Sequence, residues 1–203
     1  MEEFLRRLVE INADAKLLDF CRKSVLHGTP SIFHDSEDEF YEFRKRVAQN
    51  FGISFNDIYI TGSAKLGFSP HKKTTFSLDS DIDVAIVSQE LFDKIMESIR
   101  VYQMRLRDSR ISVTQSEIKK YHKFLEYGAI GWMRPDHLPI SFRVRELKGN
   151  WFKFFDSISY GKSEVGNYKV NAGVFKTYRH LEQYTFSGME SLARALKVEA
   201  DNG

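Results

Sequence analysis

The sequence predicts a small α+β fold: a mixed sheet flanked by helices, with further helices at both ends. Three observations carry this reading. Apolar residues recur at helical spacing in six separate stretches. Four short runs with strand character stand between them, at 57–63, 81–88, 138–146 and 167–175. Turn and capping residues divide one kind from the other. The order helices, strand, strand, helices, strand, helices fits one small mixed domain better than a bundle or a sandwich.

The bulk composition narrows the function. The chain has 203 residues, 42% of them hydrophobic and 29% charged, which allows a sizeable core beneath a soluble surface. A net charge of +2 argues against a general nucleic-acid binder, which needs a dense basic patch, but a nucleotide needs only a few local cations. One cysteine, Cys21, makes an internal disulfide impossible and leads us to expect a reducing, cytoplasmic setting. The N-terminus is acidic and mixed rather than signal-like, and no apolar run reaches the roughly 18–20 residues that span a bilayer.

The elements follow in order. Residues 2–26 carry apolar side chains from Phe4 to Val25 at close to helical spacing, and His27-Gly28-Thr29-Pro30 ends them in a turn. Residues 36–51 form a second helix, with Ser36 as cap and Glu39 three residues on in a capping-box arrangement, stopped by Gly52. A strand then runs into a Gly-Ser turn at Gly62-Ser63. The strand over 81–88 places Ile82, Val84 and Ile86 on one face and Asp81, Asp83, Ala85 and Val87 on the other. Ser88 caps a helix over 89–106, and Thr114 with Glu117 opens another over 114–128. Residues 138–146 read as a strand with Pro139 at its start or on an edge, and 149–158 as a short helix. Residues 167–175 read as a strand or an extended arm, and 176–196 as a closing helix weakened at Gly188. The expected organisation is an N-terminal helical segment over 1–52, a core over 53–150, and a C-terminal strand and helix over 151–203 that complete the domain.

The chemistry concentrates between residues 59 and 88. Asp79, Asp81 and Asp83 alternate along extended chain and so project to one side, where like charges repel unless a cation stands among them. Hard carboxylate oxygens suit Mg²⁺ or Mn²⁺, and Mg²⁺ takes one or two protein carboxylates together with substrate phosphates. A plain turn or contacts with Lys72 and Lys73 would also accommodate an isolated Asp-x-Asp. The Gly-Ser turn shifts the balance. Gly62 permits backbone angles denied to other residues, so amides near Ser63 can approach a phosphate, and the Ser63 hydroxyl adds a donor. A helix starting just after the turn would favour an anion further. Lys65 is the nearest cation to steady a triphosphate.

Together, "TGSAKLGFS" and "SDIDVAIV" resemble the signature of the polymerase-beta-type nucleotidyltransferase superfamily: a strand, a Gly-Ser, a helical turn, then aspartate–hydrophobic–aspartate on the next strand. The resemblance covers about residues 57 to 88. It implies a polymerase-beta-like fold, with Gly62 and Ser63 on the triphosphate and Asp81 and Asp83 as the catalytic metal ligands. It also implies Mg²⁺- or Mn²⁺-dependent transfer of a nucleotidyl group from a nucleoside triphosphate, with release of pyrophosphate, to an acceptor that is a protein, a small molecule, an RNA end or another nucleotide.

Two features depart from that pattern. The stretch between Ser63 and Asp81 is longer than in many members, and its Lys72 and Lys73 either reach phosphate or lie in a solvated loop. Members that activate an acceptor hydroxyl carry a third carboxylate on a later strand. Here the strand expected at 138–146 has none inside it, which leaves Asp136 and Glu146 at its ends. Two other readings therefore stand beside the enzyme. One is a nucleotide-binding or sensing protein with weak or no turnover, in a toxin–antitoxin or defence setting by analogy. The other is an interaction module whose acidic cluster meets a basic partner. On the closing helix, Tyr178 or Tyr184 could stack on a base, although that helix also reads as a packing element with a basic outer face. Cys21, among apolar neighbours, reads as packed rather than reactive.

Overall fold

The computed structural model describes residues 1–108, 110, 112–135, 138 and 145–201. The long N-terminal helix expected from periodicity is divided in three: α1 (Glu2–Val9), α2 (Asp14–Phe20) and a π-helix at Cys21–Leu26. The break has a packing cause. Ala13 is extended (φ −143°, ψ 139°), which redirects the chain so that Leu8 from α1 and Leu17 and Phe20 from α2 meet one partner helix. That partner is the C-terminal helix, through Met189, Leu192 and Ala193, and Cys21 and Val25 of the π-helix join the same cluster.

Helix α3 (Glu37–Phe51) starts and stops where the sequence indicates. Ser36 Oγ accepts from the Glu39 N–H at 3.2 Å, and Gly52 closes the helix in the left-handed region. Only half of the capping box forms, because the Ser36 N–H already donates to the Phe33 carbonyl. Strand β1 (Ile58–Thr61) leads into α4 (Gly62–Leu66). The extended stretch between Ser63 and Asp81 folds partly as a hairpin, β2 (Phe68–Ser69) with β3 (Thr74–Thr75). Strand β4 (Ile82–Val87) carries Asp83, the second aspartate of the Asp-x-Asp, and Asp81 immediately precedes it.

Helices α5 (Gln89–Arg107) and α6 (Gln115–Ala129) begin at their expected caps. Ser88 Oγ accepts from Leu91 N–H, and Thr114 and Glu117 form the full reciprocal capping box. Strand β5 (Trp132–Met133) was not foreseen, being only two residues long. Most of the strand expected at 138–146 lies outside the described residues, and its last two positions belong instead to helix α7 (Arg145–Ser157). Asp136 lies outside the described residues, as does the side chain of Glu146. Strand β6 (Val170–Phe175) and helix α8 (Tyr178–Asp201) complete the chain. No helix among the described residues is long and apolar enough to cross a membrane.

The architecture is α+β, with a mixed four-stranded sheet ordered β1-β4-β6-β5. β1 and β4 are antiparallel, β4 and β6 parallel, and β6 and β5 antiparallel. One face of the sheet forms the main core, where Ile58, Ile60, Ile82, Val84, Ile86 and Val174 pack with Phe43 and Val47 of α3 and Ile95 and Ile99 of α5. Truncating one of these to Ala costs about 2–5 kcal/mol. The opposite face is thinner: Ala85 and Phe175 meet Leu181 of α8 and Leu26 of the π-helix. Asp83 shares this second face with Ala85, so the strand's acidic end looks toward α8 rather than into the main core.

Candidate functional site

Register places the first two parts of the site side by side. Thr61 is paired with Asp83 across β1 and β4, and the Thr61 hydroxyl donates to the Asp83 carbonyl at 3.3 Å. The next residue, Gly62, therefore turns directly over the Asp83 side chain. Its φ is +64°, and a Cβ at this position would stand 3.2 Å from Asp83 Oδ2. Glycine is needed twice over: for the left-handed backbone and for the close approach of the carboxylate. Ser63 follows at the start of α4, and among the described residues its hydroxyl has no hydrogen-bond partner. Because α4 has only five residues, its dipole adds little, and the turn's amides and the serine hydroxyl are the donors that count.

Gly62, Ser63 and Asp83 share the wall of a cavity of about 990 Å³ between the sheet and α8. Asp81 stands exposed just before β4, two positions from Asp83, and Asn171 Nδ2 donates to its Oδ2 at 2.7 Å. Asn171 is also the in-register partner of Asp83 on β6. The neighbouring strand thus presents a neutral amide beside both carboxylates. Among the described residues no group of three or more His, Cys, Asp or Glu side chains is placed to hold a metal ion. Two carboxylates are present, a donor set that suits a hard cation whose other ligands are phosphate oxygens and water.

Lys65 is placed elsewhere. It is buried, and its Nζ donates to the carbonyls of His27 and Gly28 at 2.5 and 2.6 Å, so it ties α4 to the end of the π-helix instead of facing the cavity. Burial lowers its pKa. Lys73 pairs with Glu199 near the end of α8, and Lys72 is exposed, whereas Ser69, Pro70 and His71 of the same hairpin line the cavity. Asp79 sits in the exposed turn closed by Ser77 and Ser80 and is an ordinary turn residue.

The far end of the cavity is aromatic. Trp132 and Tyr184 lie with ring centroids 5.2 Å apart and planes inclined by 32°, with Phe175 behind and Arg134 beside them. Gly173 on β6 makes room for this wall, since a Cβ there would fall 2.6 Å from Trp132 Nε1. His180 also lines the cavity, with Nδ1 hydrogen-bonded to the Thr177 hydroxyl at 2.7 Å. Of the two tyrosines singled out from the sequence, Tyr184 reaches this cavity and Tyr178 lines a different one. Burial raises the Tyr184 pKa, Tyr127 and Asp83 raise it further, and Arg134 opposes them.

Sequence reasoning missed Asn171, Trp132 and Arg134. Asn171 left a faint signal, an amide with poor strand propensity inside an apolar run. Trp132 left none, because its place depends on the pairing of β5 with β6. No model of a known protein family, no curated protein and no solved structure matches this chain.

Proposed function

We propose that this protein is a metal-dependent nucleotidyltransferase with a polymerase-beta-like core, transferring a nucleoside monophosphate from a nucleoside triphosphate to an acceptor hydroxyl and releasing pyrophosphate. The observation that carries the reading is the contact of the left-handed Gly62 turn with Asp83 on the wall of a cavity large enough for a nucleotide. Pockets of about 300–1,000 Å³ hold small ligands and cofactors, and this one lies at the upper end. The Ser63 hydroxyl and the turn amides donate to the phosphates, and Asp81 and Asp83 hold Mg²⁺ or Mn²⁺ against them. Bound there, such an ion would supply charge neutralisation for the departing pyrophosphate and would make an acceptor hydroxyl easier to deprotonate. Asn171 keeps Asp81 oriented. The triphosphate's base rests on the Trp132–Tyr184 wall. Positioning of this kind supplies up to about 7–11 kcal/mol of a barrier when the reacting groups are aligned.

A second reading, binding without turnover, is favoured by one observation. The residue beside Asp83 on the adjoining strand is Asn171, which cannot accept a proton as a carboxylate would. Both readings are separated by incubating the protein with each ribonucleoside triphosphate, Mg²⁺ or Mn²⁺ and a cell extract as acceptor pool, and measuring pyrophosphate. Release that disappears in the D81N/D83N variant supports the transferase. Binding of a triphosphate with no release from any of the four supports the sensor.

A further inference from the structure

A second cavity, of about 660 Å³, lies along the open edge of the sheet. Its floor is β1, which contributes three consecutive residues from Ile58 to Ile60. Helix α3 forms one wall through Phe40 and Arg44, on the side of Ile58 and Ile60; the π-helix forms the other through Lys23 and Leu26, on the side of Tyr59. An edge strand between two helical walls has the shape that accepts an added strand: its outward N–H and C=O groups offer backbone pairing, and the walls receive side chains alternately.

The charge of the trough says what kind of strand. Arg44 Nε donates to the Phe55 carbonyl at 2.8 Å, and the guanidinium lies 5.1 and 5.0 Å from the centroids of the Phe40 and Phe55 rings. Its position is fixed and partly desolvated, yet among the described residues no carboxylate pairs with it. The acid on the trough wall, Glu182, is already taken by both nitrogens of a fork from Arg22. Lys23 is exposed and likewise has no described carboxylate partner. The Arg44 guanidinium is partly removed from water and feels Asp57 through space without forming an ion pair with it, so part of its desolvation cost is left for an incoming carboxylate to relieve.

We infer that the edge of β1 binds an extended acidic segment of a partner protein as a fifth strand, with carboxylates on Arg44 at one wall and on Lys23 at the other. Because β1 has four residues, the segment is short, and backbone pairing supplies affinity while the two cations supply the preference for acid. This site is separate from the nucleotide cavity and does not depend on the reading of that cavity.

The test is an NMR titration of the isotope-labelled full chain with the capped peptide acetyl-Val-Glu-Glu-Val-Glu-Glu-amide, its Lys-for-Glu counterpart, and inorganic phosphate. We expect the acidic peptide to shift the amides of Ile58 to Thr61 and of Lys23, to slow hydrogen exchange on the outer side of β1, and to bind about tenfold more tightly than the basic one. Lys23→Glu, at an exposed position, and Arg44→Met, which keeps the stem between its two rings, should each weaken it several-fold. If Arg44→Met unfolds the protein, Lys23→Glu decides alone. Equal binding of both peptides, or no shift with the acidic one at millimolar concentration, overturns the proposal. Shifts with phosphate and none with peptide would also overturn it, by assigning the cavity to small anions.

Discussion

Gly62 and Asp83 constrain each other, and that contact makes the glycine the most informative single position. Gly62→Ala places a methyl group 3.2 Å from Asp83 Oδ2 on a backbone at φ +64°. We expect a loss of about 1 kcal/mol in stability from the strained backbone alone, and at least a tenfold fall in triphosphate affinity as the carboxylate is pushed aside. Denaturant unfolding and a binding titration read the two effects separately. Cys21 offers a pH test. It is fully buried, and burial pushes its thiol from an ordinary 9.0 up to about 11. The folded state keeps this proton longer than the unfolded state does. Its contribution is therefore complete below pH 9 and is lost as the pH climbs toward 11, by up to about 1.4 kcal/mol for each pH unit. Unfolding curves across that window should show the decline, and Cys21→Ala should flatten it. At this scale the sequence was readable for the Gly-Ser and the Asp-x-Asp because local spacing sets their geometry. Lys65, expected beside the phosphates, is held instead by the His27 and Gly28 carbonyls, of which its neighbours in sequence say nothing.

Among the elements, α8 shows how a cavity can be written into a helix. Gly188 lies within it, lines the cavity beside Gly62 and Asp83, and has no atom from outside its own helical turn within 4 Å of where a Cβ would stand. Gly188→Ala should stabilise the protein by about 0.5–1 kcal/mol, read as a shift in the denaturant midpoint with an unchanged slope. Gly188→Phe should fold and yet reduce nucleotide binding by filling the space. Thr114→Ala removes the hydroxyl that accepts from the Glu117 N–H and donates to Glu117 Oε2, leaves the backbone half of the α6 capping box, and should cost about 1 kcal/mol in the same measurement. Caps of this sort were legible because a cap is a four-residue affair. The break after α1 was not, because helical periodicity runs through Ile11 and Ala15 undisturbed. What divides the helix is the docking of both halves on α8, some 170 residues away in the chain.

For the whole molecule, β4 is the axis on which everything is hung. Its Ile82, Val84 and Ile86 anchor the main core, and its Asp83 opens on the cavity that α8 closes from the other side. Its two neighbours bring the glycine turn and Asn171 to the same spot. The α+β class followed from the alternation of periods, whereas the strand order and the aromatic wall required long-range pairing that no local pattern encodes. The wall also supplies a reporter. The two tryptophans are Trp132, on the cavity, and Trp151, buried in the main core. The most direct test of a metal-bound triphosphate seated between the Gly62 turn and the aspartates is therefore a fluorescence titration of the Trp151→Phe variant with each triphosphate, with and without Mg²⁺. The account predicts quenching of Trp132 that requires Mg²⁺ and weakens at least tenfold when Asp83→Asn is added. Absence of quenching, or quenching that ignores both the metal and Asp83, would contradict it.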